Sequence, residues 1–116
     1  LWIFDGHFCY FDWNGKEFGT RPIQSWDKEL MMGIIVLTAR PETILSRRMK
    51  DRRPDRKLSL DFIKKEIKKE AEIAKLQAET LEIPLIFIAN EDGKAGENAE
   101  KILQLIKKKK ARSCLA

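Results

Sequence analysis

The sequence predicts an α/β fold with a thin parallel sheet of about three strands and covering helices, and three observations carry that prediction. The short apolar runs "LWIF" (1–4), "IIVLT" (34–38) and "PLIFIAN" (84–90) are continuous rather than alternating, the pattern of strands covered on both faces. Between the second and third runs, and again after the third, apolar residues recur every three or four positions, as on one side of a helix. Each run also stops at polar or glycine-bearing sequence, so strands, helices and loops are cleanly punctuated.

The elements follow in order. "LWIFDG" reads as a buried strand ending in the carboxylate of Asp5. In "CYFDWNGKEFGTR", Asn14-Gly15 flanked by aromatics is the dipeptide favoured in a two-residue hairpin turn and admits a small surface hairpin. Ser25 is placed to cap a short helical piece, "WDKELMM", leading into the second strand, Ile34 to Thr38. Pro41 then suits a first helical position and Glu42 the positive end of the helix dipole, with Ile44, Leu45 and Met49 as the inner face. Pro54 forbids continuation, so this helix is expected to end near Arg53.

Ser59 precedes a long predicted helix over Leu60 to Leu81, with Ile63, Ile67, Ala71, Ala74, Ala78 and Leu81 on one side and Lys and Glu on the other. The third strand follows, then the turn-rich loop "EDGKAGEN". From about Glu97 a last helix carries Ala99, Ile102, Leu103 and Ile106. Residues 1–110 read as one domain with a lid-like helix and loop at about 41–58, and 111–116 as a basic, flexible tail. The first strand has no helix before it to cover its second face.

A chain of 116 residues, 43% hydrophobic and 35% charged, is expected to be one soluble globular domain rather than a disordered segment. Its 23 Lys and Arg against 18 Asp and Glu give a net charge of +5, which favours an anionic partner. Two distant cysteines and one histidine make neither a disulfide framework nor a zinc site, and a reducing, cytoplasmic setting is expected. No apolar run approaches the ~18 residues that a membrane span requires, so no membrane partner is expected.

In open α/β sheets ligands bind beyond the carboxyl ends of the strands, which here carry Asp5, Thr38 with Arg40, and Asn90. A strand-end carboxylate such as Asp5 has the form that holds a hydrated Mg²⁺, since hard cations prefer oxygen. His7 could touch a phosphate or serve as an ordinary hydrogen-bonding loop residue. The stretch "SRRMKDRRPDRK" (46–57) holds seven Lys or Arg in twelve positions and straddles the expected helix end. Guanidinium forks match phosphate oxygens. The bland alternative is a solvated helix end, with intrahelical pairs such as Arg47–Asp51 using part of the cluster. No G-x-x-x-x-G-K-[ST] stretch occurs, and "EDGKAGEN" reads as a plain turn.

With Asp5-Gly6-His7, the hairpin-bearing excursion, "IIVLTARPETILSRRMKDRRPDRKLS" and "IANEDGKAGENAEKIL" in this order, the chain resembles the second half of archaeal adenylate kinases and related small P-loop nucleoside monophosphate kinases. The resemblance implies part of a three-layer P-loop-kinase-like fold and the cofactors ATP and Mg²⁺. It implies Arg48, Arg52 and Arg56 as the leading phosphate or adenine contacts of the helix and lid, with Arg47 and Arg53 behind them. It further implies Asp5 as a water-mediated Mg²⁺ ligand, His7 near the phosphates, and the loop from Asn90 to Gly93 against the adenine. In that family the phosphate loop and most of the monophosphate-binding helices precede the strand ending in Asp. The chain taken alone is therefore expected to have little or no kinase activity, because phosphoryl transfer relies on positioning by those parts. Homo-oligomers, common among the archaeal relatives, are implied as well.

Two other readings stay open: a basic nucleic-acid-binding module using the arginines, the lysine tail and aromatics such as Trp2, Tyr10 and Trp13, and a truncated domain that folds by self-association.

Overall fold

The computed structural model describes residues 6, 9–11, 17–20, 30–51 and 58–115, with side chains over 30–51 and 58–109. In chain order the elements are β1 (Cys9–Phe11), β2 (Glu17–Thr20), β3 (Ile34–Thr38), α1 (Pro41–Lys50), α2 (Leu60–Leu81), β4 (Leu85–Ala89) and α3 (Ala95–Leu115).

β3 and β4 pair in parallel from Ile34↔Leu85 to Thr38↔Ala89. The ladder is extended at both ends, where Ile34 N–H donates to the Pro84 carbonyl at 2.9 Å and Asn90 N–H to the Thr38 carbonyl at 2.6 Å. Parallel strands need a long crossover, and α1 with α2 supplies it. Among the described residues this parallel sheet has two strands. Most of the expected first strand, with Asp5 and His7, lies outside the described residues.

β1 and β2 form the antiparallel hairpin, paired Cys9↔Thr20 and Tyr10↔Gly19. Pairing shifts by one residue between Tyr10 and Phe11, a bulge that places Phe11 opposite Glu17. The turn itself, Ser25 and most of "WDKELMM" lie outside the described residues.

α1 starts as expected, with Pro41 in its first turn, but stops at Lys50 rather than near Arg53. Asp51 has already turned extended, at φ −87 and ψ 111, while its N–H still donates to the Arg47 carbonyl at 3.0 Å. Asp is a poor helix former, and its charge opposes the negative carboxyl end of the dipole, so the helix stops before Pro54 can act. The inner face also differs from expectation: Ile44 and Leu45 are half-buried, Met49 is 67% exposed, and the buried residue is Thr43.

α2 has the predicted bounds. The Ser59 hydroxyl accepts from Phe62 N–H at 3.3 Å, satisfying one of the amides that every helix start leaves open. At the other end Glu82 takes a left-handed conformation, φ 56 and ψ 43. Its N–H donates to the Glu79 carbonyl and that of Ile83 to the Ala78 carbonyl, the pair of bonds of a Schellman stop. The buried stripe is Ile63, Ile73, Ala74, Gln77, Ala78 and Leu81, whereas Ile67 and Ala71 are half-buried.

These α2 residues, with Ile34, Ala39 and Ile88, make the core, and Ile63 is wholly buried at 0% exposure. Cover on both faces of the sheet, expected from the continuous apolar runs, is incomplete: Leu37 is 55% and Phe87 40% exposed. Lys75 Nζ stands 5.8 Å from the Phe87 ring centre, a cation over an aromatic face. α3 begins two residues before Glu97 and its backbone continues to Leu115, past residue 110, where the sequence suggests the domain closes. Its expected apolar stripe is only partly covered. Ile102 and Ile106 are half-buried, but Ala99 is exposed and Leu103 is 49% exposed. Among the described residues no helix is long and apolar enough to cross a membrane.

Candidate functional site

The parallel ladder brings two loops together at the carboxyl ends of β3 and β4, the place where open α/β sheets bind ligands. One loop is Ala39-Arg40 leading into α1. The other is Asn90-Glu91-Asp92-Gly93-Lys94 leading into α3.

The first connection between them is Glu91. Its Oε1 accepts from the Arg40 backbone N–H at 2.7 Å, and its Oε2 from the Thr43 hydroxyl at 2.5 Å. Arg40 caps α1 without a side-chain hydrogen bond of its own. Glu91 therefore supplies the missing cap from another loop and sets a carboxylate at the positive end of the α1 dipole. Its pKa lies below the ordinary value of 4.5, chiefly through the Thr43 hydroxyl, then the Arg40 amide, with the Arg40 and Arg47 charges adding to them against desolvation. A helix start of this kind can bind a phosphate. Here the protein's own carboxylate occupies it.

The second connection is Arg47. Its Nε donates to Asp92 Oδ1 at 3.0 Å, and its Nη2 lies 3.0 Å from the same oxygen and donates to the Asn90 carbonyl at 2.6 Å. The loop is braced from its far side by buried Asn98 on α3, whose Nδ2 donates to the Ala89 carbonyl and to Asn90 Oδ1, both at 3.0 Å. Lys94 N–H closes a turn onto the Glu91 carbonyl at 3.1 Å, with Gly93 at φ 80, a conformation that side-chain-bearing residues adopt with strain. Lys94 Nζ pairs with Glu97 Oε2 at 3.3 Å and Lys101 Nζ with Glu97 Oε1 at 3.7 Å; Lys94 first and then Lys101 hold the Glu97 carboxyl below its ordinary pKa.

The residues expected at the site thus separate. Arg47, Asn90 and Gly93 come together at the sheet edge, in one bonded cluster. Arg48 does not join them: it faces α2 and forms a two-pronged pair with Glu66, Nη1 to Oε1 at 2.8 Å and Nη2 to Oε2 at 3.2 Å, with its side chain 13% exposed. That pair clamps α1 to α2, as a planar guanidinium suits. Asp5, His7, Arg52, Arg53 and Arg56 lie outside the described residues.

Thr43 and Asn98 were not expected at the site, and Glu91 and Asp92 were expected only as members of the Asn90 to Gly93 loop, not as partners of α1. Thr43 sits where a helix would ordinarily bury an apolar residue, and Asn98 is a buried polar residue beside Ala99. Those interruptions of the apolar pattern are the only signal either carries in the sequence. The pairing of Glu91 and Asp92 with α1 carries none, because it depends on a helix 48 and 45 residues away in the chain.

Around the two loops, Arg40, Arg47, Lys94 and Lys101 face Glu91, Asp92 and Glu97, so the local charges largely offset one another. Such a cluster offers peptide groups and single cations to a polar, oxygen-bearing ligand. Among the described residues no group of three or more His, Cys, Asp and Glu could hold a metal ion. Comparison of the chain with protein-family models, with curated proteins and with solved structures finds no match in any of the three.

Proposed function

We propose that this chain is the C-terminal, lid-bearing portion of an ATP-dependent nucleotide kinase, which when whole transfers the γ-phosphoryl group of ATP to a nucleoside monophosphate. The observation that carries the reading is the convergence of an arginine-bearing helix and the Asn90–Gly93 turn at the carboxyl ends of two parallel strands, tied by Arg47 and Glu91. This location, together with the ordered motifs that resemble the small nucleoside monophosphate kinases, favours a nucleotide over other anions.

In this reading the turn at Asn90 to Gly93 lies along the base, stiffened by Asn98, and Arg47 is the described guanidinium nearest to it. Arg52, Arg53 and Arg56 supply charge to the phosphates, and Asp5 meets Mg²⁺ through water. ATP and Mg²⁺ supply the transferable phosphoryl group and its charge neutralisation. The chain itself orients the base, holds α1 against the sheet and gives the lid its charge. Arg48 acts at one remove, by fixing α1 to α2 through Glu66. Without a G-x-x-x-x-G-K-[ST] stretch the chain alone binds nucleotide weakly and does not turn it over.

The test is a titration with Mg-ATP and with a short RNA at two salt concentrations, followed by backbone amide shifts. Saturable shifts with ATP at Arg47 and from Asn90 to Gly93, lost on Arg52→Ala with Arg56→Ala, are expected. ATP binding unchanged by that double substitution would sink the arginine assignment. Silence with ATP, together with RNA binding that weakens steeply with salt, would replace the kinase reading by a nucleic-acid module.

A further inference from the structure

We infer that Asp92 sets the anion affinity of this site by competing for Arg47, so that in the free protein the guanidinium is held by an internal carboxylate that a phosphate must displace. The inference rests on the nucleotide reading for the identity of the ligand, and on geometry alone for the latch.

Arg47 projects from α1 toward the β4–α3 loop, and the bonds to Asp92 Oδ1 and the Asn90 carbonyl use its Nε and Nη2. That edge of the guanidinium is one of those able to grip two oxygens of one anion. Asp92 already occupies it, while the Arg47 and Asp92 side chains stay 39% and 70% exposed, so an incoming anion can reach the pair from solvent. Arg48 offers a contrast one residue on: its partner Glu66 is 26% exposed, and that pair is packed between helices. An exposed pair exchanges partners at little cost, and a packed one does not. Neighbouring Glu91 is committed to Arg40 and Thr43, which leaves Asp92 as the carboxylate that holds the Arg47 fork.

An exposed ion pair is worth up to about 1 kcal/mol, so its removal should tighten anion binding by up to about five-fold. The experiment uses the full chain, Asp92→Asn, Arg47→Ala, the double variant, and Glu97→Gln as a control that removes a nearby carboxylate not bonded to Arg47. Two probes are titrated, inorganic tripolyphosphate and Mg-ATP, and hydrogen exchange of the Arg47 Nε–H is followed by NMR. The expected result is slow Arg47 Nε–H exchange that quickens in Asp92→Asn, and tighter binding of both probes. That gain should be smaller in Glu97→Gln and absent from Asp92→Asn made in the Arg47→Ala chain.

The same gain for tripolyphosphate, with Mg-ATP bound no better than that simple anion, would uphold the latch and remove the nucleotide reading. Asp92→Asn with unchanged exchange and affinity would overturn the latch. So would an equal gain in the Arg47→Ala chain, or no saturable binding of either anion by any variant.

Discussion

The seam between α2 and the sheet and the cluster at the carboxyl ends of β3 and β4 are held by opposite means. The seam is apolar: Ile63, Ile73, Ala74, Ala78 and Leu81 bury their side chains with Ile34 and Ile88, and its strength is the area removed from water. The cluster is polar and mostly exposed, and its strength is a few hydrogen bonds and charge pairs that water and ions can replace. The seam therefore governs whether the chain folds, and the cluster can rearrange around a ligand while the fold persists. Arg47 belongs to the cluster, whereas Arg48, its neighbour in sequence, is packed between α1 and α2.

The sharpest break of the comparison is at Ile63, the largest wholly buried side chain among the described residues. Ile63→Ala should destabilise the chain by about 3 kcal/mol, from lost transfer energy and the cavity left behind, measured by urea unfolding. The loop shifts on ligand addition should be unaltered wherever the variant is folded.

Next comes the packed ion pair. Glu66→Ala removes the two-pronged partner of the Arg48 guanidinium between α1 and α2 and should cost about 2 kcal/mol by the same measurement. If the loss were as small as that of an exposed pair, Arg48 would be free to serve a ligand, as the resemblance implies.

A gain of stability is expected at the left-handed end of α2. Glu82→Gly relieves φ 56 at a position that closes a Schellman stop, and should stabilise by about 0.5 to 1 kcal/mol, read as a higher Tm. Ligand binding should stay unchanged, since Glu82 is at the opposite, amino end of β4.

The smallest global effect is expected within the cluster. The folded pKa of Glu91 lies below its ordinary value of 4.5, so its contribution to stability is present above that value and is lost as pH falls through the depressed folded pKa. A side-chain NMR titration should find that low value, and Thr43→Val should raise it most, because the hydroxyl is its largest cause. An unmoved Glu91 titration would show that the α1 cap is not built as described.

Local patterns carried much of the fold. The bounds of β3 and α2, the Pro41 start, the Ser59 cap and the existence of a hairpin follow from apolar runs, capping chemistry and turn residues, each acting over a few residues. The site was legible only as a location, the carboxyl ends of the strands, and as a list of cations and loop residues. Arg47, Asn90 and Gly93 meet there, but nothing near Arg48 in sequence announces Glu66, 18 residues on, as its partner.

By itself, then, the sequence determined the type and order of the elements, because hydrophobic period, caps and turn residues act locally. The tertiary structure decided which apolar faces stay bare, that a carboxylate from the β4–α3 loop caps α1, and which arginine faces the sheet edge. Those outcomes depend on the distance and direction between groups brought together by the parallel pairing, and the residues concerned are up to 51 positions apart along the chain.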